Sequence, residues 1–135
     1  MPAPPDRTPF SLTLTARPED IDELGHVNNT VYLRWVQEVA VAHWQAVAPA
    51  EDIARLVWVV TRHEIDYRRP TLVGEQLVAT TWVGSPKGAR FDRFVEIAGA
   101  DGSLRCAAHT DWALLDAETR RLLRVTPELA AVFAR

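Results

Sequence analysis

The run Asp20-Ile21-Asp22-Glu23-Leu24-Gly25-His26-Val27-Asn28-Asn29-Thr30 gathers carboxylates, a glycine, a histidine and an amide pair immediately before an amphipathic stretch. A carboxylate beside a helix N-terminus can act on a carbonyl carbon, while the free backbone N–H groups of that terminus hold the oxyanion that forms. Asp22 is the candidate for that chemistry, its alternative being an Asp that only caps the turn. Asp20 fits better as a turn-former or supporting acceptor. His26 could orient water, hydrogen-bond Asp22, touch a carbonyl, or simply bond backbone. Gly25 fits a backbone geometry closed to other residues, and Asn28 serves either as a cap or as a substrate contact.

These residues need a strand before them and a helix after them. Phe10 to Ala16 alternates apolar and polar residues and predicts a half-buried strand. From about Thr30 to Val47 the period becomes helical, with Tyr32, Val36, Val39, His43 and Val47 three or four residues apart. Asn28 or Asn29 is the expected N-cap and Pro49 lies just past the end. Leu33, Trp35, Ala40, Ala42 and Trp44 make that helix apolar over most of its circumference, so it is expected to be wrapped by other structure.

The remainder reads as strands: Val57 to Arg69, Leu77 to Val83, Arg90 to Ala98, Leu104 to Leu115 and Arg121 to Val125. The connections between them, Gly84 to Gly88 among them, are hairpin-length, which predicts an antiparallel sheet. Thr126 and Pro127 suit the cap and first position of a short terminal helix. The fold class is α+β: one long central helix and a five- to six-stranded antiparallel sheet rolled around it.

The 135 residues suffice for one domain, and a net charge of −3 with no basic stripe argues against nucleic-acid binding. The lone cysteine, Cys106, fits a reducing compartment. No signal-peptide pattern and no membrane-length apolar run are present, so a cytoplasmic protein that does not engage membranes is expected.

The motif Asp-x-Asp-x-x-Gly-His-Val-Asn-Asn-x-x-Tyr, Asp20 to Tyr32, resembles the signature of hot-dog-fold acyl-CoA thioesterases of the 4-hydroxybenzoyl-CoA thioesterase type. The similarity continues at Glu64-Ile-Asp-Tyr-Arg-Arg-Pro70 and Val73-Gly-Glu75, covering roughly Phe10 to Val125. The resemblance implies a single hot-dog thioesterase domain over 9–135, after a proline-rich segment, 1–8, expected to be disordered. It implies that Asp22 is the catalytic carboxylate, as base or nucleophile, and that the Asn29 N–H faces the thioester oxygen; His26, one residue beyond the Gly25 turn, is expected to join them in the catalytic set. It also implies active sites between the subunits of a homodimer or homotetramer. An open sheet edge independently favours pairing with a second copy. Plant acyl-carrier-protein thioesterases share His-Val-Asn-Asn and Tyr-Arg-Arg, but Leu24, Pro70 and Thr71 stand where they carry functional asparagine, glutamate and cysteine.

Gly25, Asn28, Lys87 and Arg90 are the expected substrate-binding residues, the last two for coenzyme A phosphates, with Arg93, Arg68 and Arg69 as further candidates. Glu38, ten residues into the helix, fits a solvated charge better than a base. Cys106 fits inert core. His63 and His109 lack a second ligand at metal spacing, so neither a metal nor a cofactor is expected. The alternative to an enzyme is a non-catalytic hot-dog acyl-CoA-binding module.

Overall fold

The structure is a computed structural model, and residues 4 and 6–134 are described. Expected disorder over 1–8 falls partly outside those residues; within them, Arg7 bonds Ser85 and the Thr8 hydroxyl donates to the Ala134 carbonyl. Strand β1 (Phe10–Thr15) leads through a 3₁₀ turn (Pro18–Asp20) and the acidic loop into α1 (Asn29–Val47) and the short α2 (Ala50–Arg55). Then come β2 (Leu56–Tyr67), β3 (Gln76–Lys87), β4 (Arg90–Gly99), β5 (Leu104–Asp116) and α3 (Pro127–Ala131). The five strands form one antiparallel sheet in the order β1-β3-β4-β5-β2, with α1 laid across one face. That is the hot-dog arrangement.

Helix α1 starts where expected because Asn28 Oδ1 accepts the Thr30 N–H at 2.9 Å. It stops at Ala48, whose extended backbone is what a following proline favours. Its buried positions, including Tyr32, Trp35, Val36, Val39 and His43, recur at three and four residues. Tyr32, Trp35, Val36 and Val39 pack on Leu14, Leu77, Ala79, Val95, Ile97, Cys106 and Ala108 from the sheet. The helix is not wrapped all round. Arg34, Gln37, Glu38 and Val41 are exposed, because one five-stranded sheet covers only one side of it.

Three further expectations need correction. Arg121 to Val125 is not a sixth strand; Leu122 makes a single bridge to Leu115 before the Thr126-capped α3. Gly84 to Gly88 is not an open turn either. Strand β3 runs on to Lys87 with a register shift after Val83, because Asp92 Oδ1 accepts the Ser85 N–H across the pair. A Cβ on Gly84 would strike that carboxylate, so a larger residue there would have to displace the Asp92 side chain. Moreover, β2 and β3 are not a hairpin: β2 pairs with β5 at the sheet edge, and residues 68–75 cross the end of the sheet to reach β3. Among the described residues, no helix is long and apolar enough to cross a membrane.

His43 makes the fold acid-sensitive. It is 1% exposed, stacked on Phe10 and edge-on to Phe133, and its Nδ1 lies 2.9 Å from Arg93 Nη1. Burial first, and then the neighbouring Arg93 charge, push its pKa from 6.5 down to about 4. The folded state therefore holds His43 neutral where the unfolded chain takes up a proton. Stability is full above pH 6.5 and falls as pH drops toward 4. Unfolding titrations should show a loss of about 2 kcal/mol between roughly pH 7 and pH 5, much reduced in His43→Gln.

Candidate active site

The acidic run folds into a closed loop. Ile21 and Val27 form an antiparallel bridge. Inside it the Asp22 N–H donates to the His26 carbonyl at 2.9 Å and the Gly25 N–H to the Asp22 carbonyl at 3.0 Å. Gly25 sits at φ +81°, the left-handed region where a side chain is strained, and this is why glycine occupies the corner. The half-buried Asp22 carboxylate accepts the Leu24 N–H through Oδ1 at 2.9 Å and the Asn28 Nδ2 through Oδ2 at 3.4 Å. Each oxygen keeps a lone pair for another partner.

Asn28 thus has two tasks. Its amide oxygen caps α1, accepting from the Thr30 N–H and hydroxyl, and its amide nitrogen steadies Asp22. The first helical N–H groups have no partner within a helix. Thr30 gives its own to Asn28 Oδ1 and Val31 gives its own to the Asn28 carbonyl, which leaves the Asn29 N–H without an acceptor among the described residues. A carboxylate and an open N–H, at the positive end of a helix, therefore flank the same residue. The His26 ring is half-buried and makes no hydrogen bond among the described residues, to Asp22 or otherwise.

Two ion pairs hold this loop from behind. Asp20 is 2% exposed and accepts the Arg17 N–H and the Arg34 guanidinium at 3.0 Å, so it is a supporting acceptor and not a free base. Arg105, almost fully buried, grips Glu75 through both nitrogens at 3.0 and 3.1 Å and also donates to Thr71 Oγ1 and the Pro70 carbonyl. Through that grip the crossing segment meets the loop: the Val27 N–H donates to the Thr71 carbonyl, and the Tyr32 hydroxyl donates to Thr71 Oγ1 at 2.8 Å. Tyr67 adds a bond from its hydroxyl to the Asn29 carbonyl at 3.3 Å. The role of Arg105 was missed in the sequence, although a charge inside Leu104-Arg105-Cys106-Ala107-Ala108 is the signal that could have revealed it.

Asp22, Gly25, His26, Asn28 and Asn29 are brought together; Lys87 and Arg90 are not. Those two face each other across the β3–β4 turn, whereas Asp22 follows β1, whose Thr15 pairs with Gln76 at the opposite end of β3. At about 3.3 Å per residue the two ends are roughly 35 Å apart along the strand. Arg93 is no surface phosphate ligand, being 5% exposed and turned inward to His43 and Thr81. Arg68 and Arg69 are exposed on the crossing segment beside the loop. Glu38 is an exposed charge paired with Arg34 at 3.3 Å. Burial pushes the Cys106 thiol up to about 12, which keeps it protonated and unreactive. His63 bonds Thr110, and His109 bonds Asp92 while stacking on Phe94.

Comparison with known proteins places this geometry. The model of the thioesterase-like superfamily matches residues 16–133. A chloroplastic acyl-[acyl-carrier-protein] hydrolase of Cuphea viscosissima is 31% identical over 75 residues, 55% of this chain; the chain spans 18% of that relative's length. Among solved structures, a 1,4-dihydroxy-2-naphthoyl-CoA thioesterase from Synechocystis superposes with a TM-score of 0.81 at 17% identity, covering 93% of this chain and 96% of that one. The Staphylococcus aureus protein SAV2348, in complex with CoA, gives 0.79 at 18% identity, covering 94% and 82%. At such identities the solved structures establish the shared fold.

Proposed function

This chain belongs to the thioesterase-like superfamily, and on that premise we propose that it hydrolyses an acyl-CoA thioester to a free acid and coenzyme A, with Asp22 as base or nucleophile. One observation carries the reading: Asn28 holds the Asp22 carboxylate and leaves the adjacent Asn29 N–H open, at a single helix N-terminus. As base, Asp22 takes a proton from water while the water oxygen bonds the thioester carbon. As nucleophile, it bonds that carbon itself, and water then opens the mixed anhydride. Either way the carbonyl electron pair moves onto oxygen, toward the Asn29 N–H and the helix dipole. Its return expels coenzyme A as thiolate. His26 belongs to the same loop, its backbone carbonyl bonded by the Asp22 N–H, and its ring is free to meet the thioester carbonyl or the water.

Residues 9–135 form the catalytic domain in this reading, and it acts as a homodimer or homotetramer. Support comes from β2, whose twelve residues form an open sheet edge. Lys87 and Arg90, at the far end of the sheet, reach coenzyme A phosphates only at a site completed by another subunit. The CoA bound to the similar S. aureus protein supports that ligand.

Asn28 offers a local check. Asn28→Ser keeps a capping oxygen and loses the donor to Asp22, so the melting temperature should stay near wild type while turnover falls roughly fivefold. Asn28→Ala should lose both, with about 1 kcal/mol of stability in addition. The overall reading is tested with a panel of short, medium, long and aromatic acyl-CoAs, followed by thiol release and by calorimetry. Release of coenzyme A from at least one ester is expected. Binding with no release from any would instead favour a non-catalytic acyl-CoA-binding module.

A further inference from the structure

A second site lies at the other end of α1. A pocket of about 270 Å³ opens between Ala40, Val41 and Trp44 of the helix, the start of β2, and Phe133. Its walls are mostly apolar, and Trp44, Trp58, Phe91, Trp112 and Phe133 contribute aromatic rings. Trp44 is fifteen residues beyond Asn29, roughly 20 Å along the helix, so this pocket is separate from the same chain's Asp22 loop.

The polar groups of this pocket are short of acceptors. Arg93 lines it and is 5% exposed. Its Nη1 donates to His43 Nδ1 at 2.9 Å and to Thr81 Oγ1 at 3.0 Å, and the guanidinium lies 5.2 Å from the Phe133 ring centre. All three neighbours are uncharged, since His43 is neutral at physiological pH. Burial lowers the Arg93 pKa only to about 10, so it remains a cation. Among the described residues no carboxylate is within ion-pair range, and the Nε and Nη2 hydrogens have no acceptor. Asp92 also borders the pocket, but its carboxylate is engaged by the Ser85 N–H and by His109 Nε2. The buried indole N–H groups of Trp58 and Trp112 likewise have no partner among the described residues. A buried cation with neutral neighbours and two orphaned donors are costly to maintain unless something supplies negative charge.

We propose that this pocket binds an amphiphilic carboxylate, with an apolar or aromatic body among the Trp and Phe rings and its anionic end on Arg93. Two sources share that chemistry: the far end of an acyl group delivered from a partner copy's Asp22 loop, or a free acid acting as a separate ligand. The binding readout is independent of the hydrolysis proposed above. Calorimetric titration of the wild-type protein with benzoate, octanoate and decanoate, each against its methyl ester, tests it without any variant. The acid should bind at least about tenfold more tightly than the ester of equal body. Arg93→Met should abolish that preference. Competition with acyl-CoA turnover would assign the pocket to the substrate's far end; binding without competition would assign it to a separate ligand. Equal binding of acid and ester, or no binding of either at millimolar concentration, would overturn the proposal.

Discussion

Asp22→Asn is expected to reduce thiol release from acyl-CoA by at least about 10²-fold while leaving the melting temperature nearly unchanged. The amide has the shape of the carboxylate, and its oxygen still accepts the Leu24 N–H that closes the loop. What disappears is the charge that takes a proton from water or bonds the thioester carbon. A positioned general base contributes typically ~10²–10⁴-fold. The Asn29 N–H survives, so residual turnover above the uncatalysed rate should persist, supported by an oxyanion donor worth about 10²–10³-fold. Circular dichroism and thermal melts on the same preparations separate this outcome from unfolding.

The second large effect concerns stability and lies at Glu75. Arg105 is 6% exposed and depends on Glu75 for its nearest negative charge; Asp101 is 3.7 Å away and mostly solvated. Glu75→Gln should therefore cost about 2 kcal/mol, or roughly 6–10 °C in melting temperature. That is below the about 3–5 kcal/mol typical of a fully buried pair, because the Glu75 side chain is a third exposed. The double variant Glu75→Gln/Arg105→Met should recover part of the loss, since a neutral pair leaves no stranded cation. The bonds from Arg105, and then from the Leu72 N–H, hold the Glu75 carboxyl below its usual 4.5. Its contribution is thus present above pH 4.5 and lost as pH falls further. Turnover should fall as well, because the segment clamped by this pair anchors Val27 and Tyr32 through Thr71.

Much of this was legible in the residues. The three- and four-residue spacing from Tyr32 to His43 specified both the helix and its buried face, and Asn28 with Pro49 bracketed it. The alternation in Phe10 to Thr15 and in β4 marked strands with one face inward. The loop Asp20 to Thr30 announced its own chemistry, since carboxylate, glycine and capping amide are local requirements that a short window can display. Pairing over distance was not legible. Successive strand-like segments suggest hairpins, yet β2 joins β5 because the crossing segment lets both β1 and β2 occupy sheet edges. The ends of β3 could not be assigned to the near or far side of Asp22 without that order, so the distance of Lys87 and Arg90 from Asp22 was not legible either. Residue type alone does not mark Arg93 or Arg105 as buried, and only the fold shows that each is, for a different purpose. Arg105 clamps the segment behind the catalytic loop, whereas Arg93 waits beside an aromatic pocket.

The most direct test of the central claim follows coenzyme A release, with a thiol-reactive chromophore, from the best ester of an acyl-CoA panel, with wild type and Asp22→Ala assayed side by side. The wild type should release coenzyme A steadily and the variant at least about a hundredfold more slowly, both remaining folded. Equal release by the two proteins would remove Asp22 from the chemistry and contradict the account.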